Sequence, residues 1–168
     1  MMKILKSVGK TVLTVTVLMS SALFGLFGCS GEKKTVTSVE AMSLTLRGMW
    51  GGTVYELSVS DGRTELVLYS EQYDGEKDYL VPERSATCEI SDIISLMNDC
   101  GVMRWNGFHG KHPKNVLDGI MFIFKASVNG GEAISAKGSE NFPKGYRDFV
   151  NGLDGILEKG ETASERAE

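Results

Sequence analysis

The chain has 168 residues, with 18 Lys and Arg against 22 Asp and Glu, a net charge of −4 and 42% hydrophobic residues. An acidic chain without a Lys/Arg-rich run is a poor ligand for nucleic acid, whose affinity comes mostly from neutralised phosphates, and the same charge argues against an anionic membrane surface. Three cysteines without zinc-type spacing exclude a disulfide scaffold and a structural zinc site.

The first segment is an export signal by its layout. Lys3, Lys6 and Lys10 make a positive start, and Thr11 to Gly28 then runs without a charge up to Cys29. Leu26-Phe27-Gly28-Cys29 resembles the lipobox of bacterial lipoproteins, with Leu three residues before the cysteine and a small residue directly before it; Phe27 stands where a small residue is usual. The resemblance implies diacylglycerol on the Cys29 thiol, cleavage before Cys29 and acylation of the new amino terminus, multiple chains that together hold a protein to a bilayer. The alternative is an uncleaved span, for which eighteen uncharged residues are just long enough. Removing residues 1–28 takes three lysines and no acid, leaving 140 residues, 15 basic against 22 acidic, and a net charge of −7.

Residues 29–41 read as a polar tether. Strands follow. Ser43 to Met49 carries Leu44 and Leu46 on one face, and Thr53 to Ser60 alternates Tyr55, Leu57 and Val59 against polar residues, the period of a half-buried strand. Asp61-Gly62 signals a tight hairpin into a strand over Arg63 to Tyr73. After the Asp74–Asp78 turn, Tyr79 to Ile90 is extended, with Pro82 marking an edge or a bulge. Ile93, Ile94, Met97 and Cys100 switch to a helical period over Ser91 to Cys100, with Ser91 as the expected N-cap and Gly101 as the left-handed stop. Val102 to Asp118 reads as a loop. Gly119 to Val128, apolar on both faces at its start, is expected centrally in the sheet, and Asn129-Gly130 turns it into Glu132 to Gly138. Pro143 can open a final helix whose stripe is Tyr146, Phe149, Val150, Leu153, Ile156 and Leu157. Residues 159–168 read as a flexible tail.

This order predicts an α+β fold: a mostly antiparallel sheet with two helices packed on one face, in two layers. The expected organisation is a signal peptide at 1–28, a tether at 29–41, one domain at 42–158 and the tail. Trp105-Asn-Gly-Phe108, Leu117-Asp-Gly119 and Gly138-Ser-Glu-Asn-Phe-Pro143 with Tyr146 together resemble uncharacterised lipoproteins of gut and other anaerobic bacteria, over roughly residues 43 to 157. The resemblance implies an exported α+β domain and no particular reaction.

Candidate sites are few. His109 and His112 have H-x-x-H spacing, but Gly107, Gly110 and Pro113 argue for a loop, and Asp118 is the one further ligand in view where zinc usually needs three. Asp74, Glu76 and Asp78 alternate as in a calcium loop without its glycine and terminal glutamate, so a charged turn is expected. No serine sits in a G-x-S-x-G elbow, and Gly48-Met-Trp-Gly51-Gly52 lacks the Lys-Ser/Thr of a phosphate cradle. No catalytic residue, metal or cofactor is therefore assigned. Trp50, Trp105, Phe108 and Phe142 lie near loops or element ends, where they either plug the core edge or line a binding surface. Cys88 and Cys100 remain as a pair in an oxidising compartment; a disulfide is expected if the strand ending at Cys88 runs back beside the helix carrying Cys100, and two separate buried thiols are the alternative. The expected function is a lipid-anchored, extracytoplasmic binding module for a protein, peptide or glycan of the envelope. The alternative is an envelope enzyme or enzyme inhibitor using the His109–Asp118 loop.

Overall fold

Two-residue polar turns and alternating apolar residues set up the sheet. The computed structural model describes residues 34–165, with side chains through Gly160, so the expectations for residues 1–28 and Cys29 lie outside the described residues. The strands are β1 (Val39–Gly48), β2 (Gly51–Ser60), β3 (Arg63–Tyr73), β4 (Asp78–Cys88), β5 (His109–Gly110), β6 (Met121–Val128) and β7 (Glu132–Ser139); the helices are α1 (Ile90–Cys100) and α2 (Tyr146–Glu165). One sheet has the order β4-β3-β2-β1-β6-β7-β5, so β1 is its central strand. All pairings are antiparallel except the short parallel pairing of β5 with β7. The fold is α+β.

The two polar turns adopt the backbone their residues favour. Asp61 and Gly62 have φ of 51° and 75°, and Asn129 and Gly130 have 53° and 79°, the paired positive values of a primed hairpin turn. Asn129 also ties the amino-terminal entry to this end of the sheet. Its side chain accepts from the Thr37 amide at 2.7 Å and donates to the Thr35 carbonyl at 2.9 Å. Asn98 on α1 does the same for Val36, with bonds of 2.8 and 2.9 Å. These ties correct the tether boundary. Val36 and Val39 are buried, the compact unit begins at Lys34, and β1 starts inside the segment expected to be loose. At the other end, α2 continues to Glu165, through much of the expected tail.

Buried side chains from the strands and from both helices belong to one hydrophobic cluster. Leu44, Tyr55, Leu66, Phe122, Phe124 and Ile134, all from one alternating set, are buried in a cluster with Ile93, Met97, Phe149, Leu153 and Leu157. Two glycines mark close approach to α1: a β-carbon on Gly152 within α2 would overlap Leu96, and one on Gly145, just before α2, would overlap the Cys100 carbonyl. Nothing in the structure explains Gly155, which has open space around it.

Several local expectations change. α1 starts at Ile90 with Glu89 as N-cap and no side-chain cap bond, so Ser91 lies inside the helix; Gly101 is left-handed as expected. The final helix starts at Tyr146 rather than at Pro143, because Gly145 at φ 84° interrupts it against α1. The 102–118 loop contains a 3-10 turn over Val102–Trp105 and the two residues of β5. β6 is an interior strand, yet its second face is bare, with Met121 and Ile123 51% and 44% exposed. β4 is the edge strand that Pro82 suggests, and the register slips beside it between Leu68 and Tyr69.

The expected bridge is not formed: Cys88 and Cys100 are free thiols. Cys88 precedes α1 and Cys100 ends it, about 15 Å apart along an eleven-residue helix. β4 does not run back beside α1. It packs on α2, where Gly160 meets Ala86. Burial pushes both thiols above the ordinary cysteine range, helped at Cys88 by Asp92 and Glu89 and at Cys100 by Asp148 and Asp99.

Candidate functional site

Antiparallel order puts the β1–β2 turn, the β3–β4 turn and the start of β6 at one end of the sheet; the polar turns and the chain entry lie at the other. Ten large apolar side chains are exposed among the described residues, and nine of them (all but Val59) lie on the half bearing the β1–β2 turn. An uneven distribution of that kind, rather than any single exposed residue, is what makes this end the candidate contact surface.

At the centre of this end is Trp50. Gly48 pairs with Gly51, leaving Met49 and Trp50 as the two-residue tip, and Gly51 takes up the reversal at φ 120°. Trp50 is 95% exposed and Met49 62%. Below the tip a cleft of about 680 Å³ opens between Trp50, Thr53, Ser70, Asp118, Ile120 and Glu140.

The walls of the cleft are held from both sides. Arg47 pairs with Glu71 through two hydrogen bonds, one of 3.1 Å from Nε. These side chains meet across Gly52, where a β-carbon would lie 2.9 Å from both. On the far wall Glu140 has a left-handed φ of 50°, its amide donates to the Ile120 carbonyl at 3.0 Å, and its carboxylate accepts from the Ile120 amide. Gly119 lies against this carboxylate arm and the His112 ring, so a β-carbon there would push the Glu140 side chain aside. The Ser70 hydroxyl is a buried side-chain polar atom without a hydrogen-bond partner among the described residues, and it belongs to the cleft lining. A buried, unpaired hydroxyl costs about 1–3 kcal/mol, which a polar group entering the cleft would recover.

The four aromatic candidates separate. Trp105 is core: 1% exposed, edge-to-face with Phe124 and Phe149 at 5.2 and 5.3 Å, its ring N–H donating to the Lys144 carbonyl at 3.0 Å. Phe108 and Phe142 are half-buried and pack on Phe122 at 6.1 and 5.4 Å, with Phe142 stacked on Tyr146 at 4.4 Å. They pack on the edge of the core and do not line the cleft below Trp50. Burial raises the Tyr146 hydroxyl to about 12. Desolvation, with the Asp154 carboxylate 2.8 Å away, raises Tyr55 further.

The two histidines lie in different surroundings. His112 binds the Val116 carbonyl through Nε2 at 2.6 Å, so Nε2 carries the proton and Nδ1 accepts from the Ser139 hydroxyl at 2.8 Å. His109 sits on β5 over a groove on the sheet's other face. No carboxylate hydrogen-bonds either ring among the described residues, and no group of three or more His, Cys, Asp or Glu there is placed to hold a metal ion. Asp118 lies in the cleft wall. Asp74 caps its own turn, accepting from the Glu76 and Lys77 amides at 2.9 and 3.0 Å, which lowers its pKa.

Sequence reasoning reached Trp50 but missed Arg47, Glu71, Ser70 and Glu140. The Arg47–Glu71 pair becomes visible once register places both beside Gly52; the left-handed backbone of Glu140 left no signal. Comparison with known proteins adds no relative: no family model, no curated protein and no solved structure matches this chain.

Proposed function

We propose that this chain is an extracytoplasmic lipoprotein, anchored through Cys29, whose domain binds a protein partner at the Trp50 end of the sheet. The proposal includes a two-layer packing, with both helices over the face that carries Leu44, Phe122 and Phe124. Carrying the reading is the position of Trp50: a 95% exposed tryptophan over a cleft, on the end of the sheet opposite the chain entry. Five residues from Cys29 to Lys34 reach at most about 17 Å, so a lipidated domain stands with its entry end near the bilayer. The ten residues of β1 then carry Trp50 about 30 Å outward. No helix among the described residues is long and apolar enough to cross a membrane. Trp and Met are enriched in protein interfaces, and the apolar surround of Met49, Leu117 and Ile120 suits a partner protein.

The test is a photo-crosslinking amino acid in place of Trp50 in living cells. A light-dependent adduct with one defined partner is expected there and not from the same group at Glu89, on the entry end. No adduct at either position overturns the reading. Intact mass of the membrane-extracted protein should show a chain beginning at an acylated Cys29; one retaining Lys3 refutes the anchor.

A second reading, an envelope hydrolase, is favoured by the Ser139–His112 pair, whose geometry lets the imidazole accept the serine proton. A fluorophosphonate probe that labels the protein, but not its Ser139→Ala variant, would support it. Absence of labelling removes it.

A further inference from the structure

We propose that the bare face of the sheet is the interface of a homodimer, with a two-fold axis running along β1. The alternating set opposite the core carries Thr45, Val54, Val67, Tyr69, Met121 and Ile123, half-buried or exposed. Charge on this face is divided by β1. On β2 and β3 it includes Glu56, Glu65 and Glu71, the last paired with Arg47 of β1, and Arg63 at the lower margin; on β6 and β7 it is Lys125 and Lys137, without an acid.

Because β1 is fourth of seven strands, a two-fold axis along it lays the acidic half of one copy on the basic half of the other. The register makes this specific. Ser43 pairs with Glu56 on one side and Lys125 on the other, so these two side chains sit at the same height, equidistant from the axis. In the dimer Glu56 of each copy faces Lys125 of the other, twice. One pair further up, Thr45 is flanked by Val54 and Ile123, so Val54 meets Ile123 across the interface. Tyr69 pairs with Val54 and Lys137 with Ile123, which sets Tyr69 over the groove of about 360 Å³ lined by Thr45, Ile123 and Lys137. A knob therefore faces a hole.

The area is sufficient. Under this axis β4 meets only the two residues of β5, so five full strands face one another; at about 4.8 Å spacing and about eight residues long they offer roughly 630 Å² per copy, at the lower end of the range for a stable interface. Packed sheets cross at about 30°, so pairs near β1 hold their alignment best. An axis along the strands also leaves both chain entries at the same end. That orientation rests on the lipid anchor proposed above, since two anchored copies share one membrane; the pairing itself does not depend on it.

The experiment uses the full membrane-extracted chain, with native mass spectrometry and sedimentation reporting stoichiometry. The wild type should be a dimer. Glu56→Lys alone and Lys125→Glu alone each set like charges together at two symmetric places, and each should weaken the dimer at least about tenfold. Mixing the two single variants should restore a dimer containing one copy of each, because both contacts then become opposite-charge pairs, and the double variant should dimerise with itself. Thermal unfolding checks that these exposed substitutions leave the domain folded. A monomeric wild type, single variants that dimerise normally, or failure of mixing to restore the pair each overturn the proposal. Trp50→Ala should leave the dimer intact, so loss of the partner-binding reading and loss of this one are read separately.

Discussion

The two tryptophans of this chain occupy opposite kinds of region. Trp105, on the short 3-10 turn after α1, is enclosed by Phe124, Phe149 and Tyr146, and its one polar atom is bonded to a backbone carbonyl. Trp50, on the β1–β2 tip, is enclosed by nothing that would bury it. The first region obeys every local rule of a core: large side chains, ring edges against ring faces, and a satisfied donor. The second departs from the turn chemistry seen elsewhere in the same molecule. Where Asp-Gly and Asn-Gly close the hairpins at the entry end, Met-Trp closes this one, next to a buried serine hydroxyl without a partner among the described residues. The difference shows where the domain stabilises itself and where it leaves surface available.

Four measurements break or sharpen that contrast. Trp105→Ala should be the most damaging, destabilising the domain by about 3–5 kcal/mol in denaturant unfolding, the usual loss for a large buried aromatic. A loss below about 1 kcal/mol would mean that the ring is not part of the core. Asn129→Ala should come next. It removes the bonds to Thr35 and Thr37 and forces alanine to a positive φ, with an expected loss of about 1–3 kcal/mol. Retained protease resistance near residues 34–38 would refute its role as the strap.

A third measurement reads the core hydroxyls through pH. Tyr146 and Tyr55 have folded pKa values raised above the ordinary tyrosine value of 10.0, Tyr146 to about 12. Below pH 10 both states are neutral there and the shift has no effect. Between about pH 10 and 12 the unfolded chain loses its protons first, so stability falls as pH rises. Tyr146→Phe should flatten that alkaline slope; an unchanged slope would show that the hydroxyl meets solvent. The smallest stability effect belongs to Trp50→Ala, within about 0.5 kcal/mol of wild type, although the same variant should lose the proposed partner. A large loss of stability would move Trp50 into the core region and end the contrast.

Much of this fold was legible because its signals are local. Period-two alternation located β2 and β3, and Asp61-Gly62 and Asn129-Gly130 named the β2–β3 and β6–β7 turns, because positive φ at two successive positions selects those residues. The α1 stripe of Ile93, Ile94, Met97 and Cys100 and the α2 stripe of Tyr146, Phe149, Val150, Leu153, Ile156 and Leu157 could likewise be read from spacing; seven of the ten are buried, and Ile94, Val150 and Ile156 are half-buried against the core. Boundaries were less legible. Val39 begins β1 and Glu165 ends α2 in segments whose own composition is polar, because the ties from Asn98 and Asn129 and the packing on β4 come from distant chain.

What the sequence alone determined about this protein is therefore its class and its punctuation: an α+β chain, its hairpins, its two amphipathic helices and its exposed charge balance. Tertiary structure decided the rest. It separated Trp50 from Trp105, two residues that look alike by position near loops. It kept Cys88 and Cys100 apart at opposite ends of one helix, and it set Glu56 and Lys125 at equal height on either side of Ser43. Local propensity acts over a few residues, whereas burial, register and strand order depend on which distant segments become neighbours.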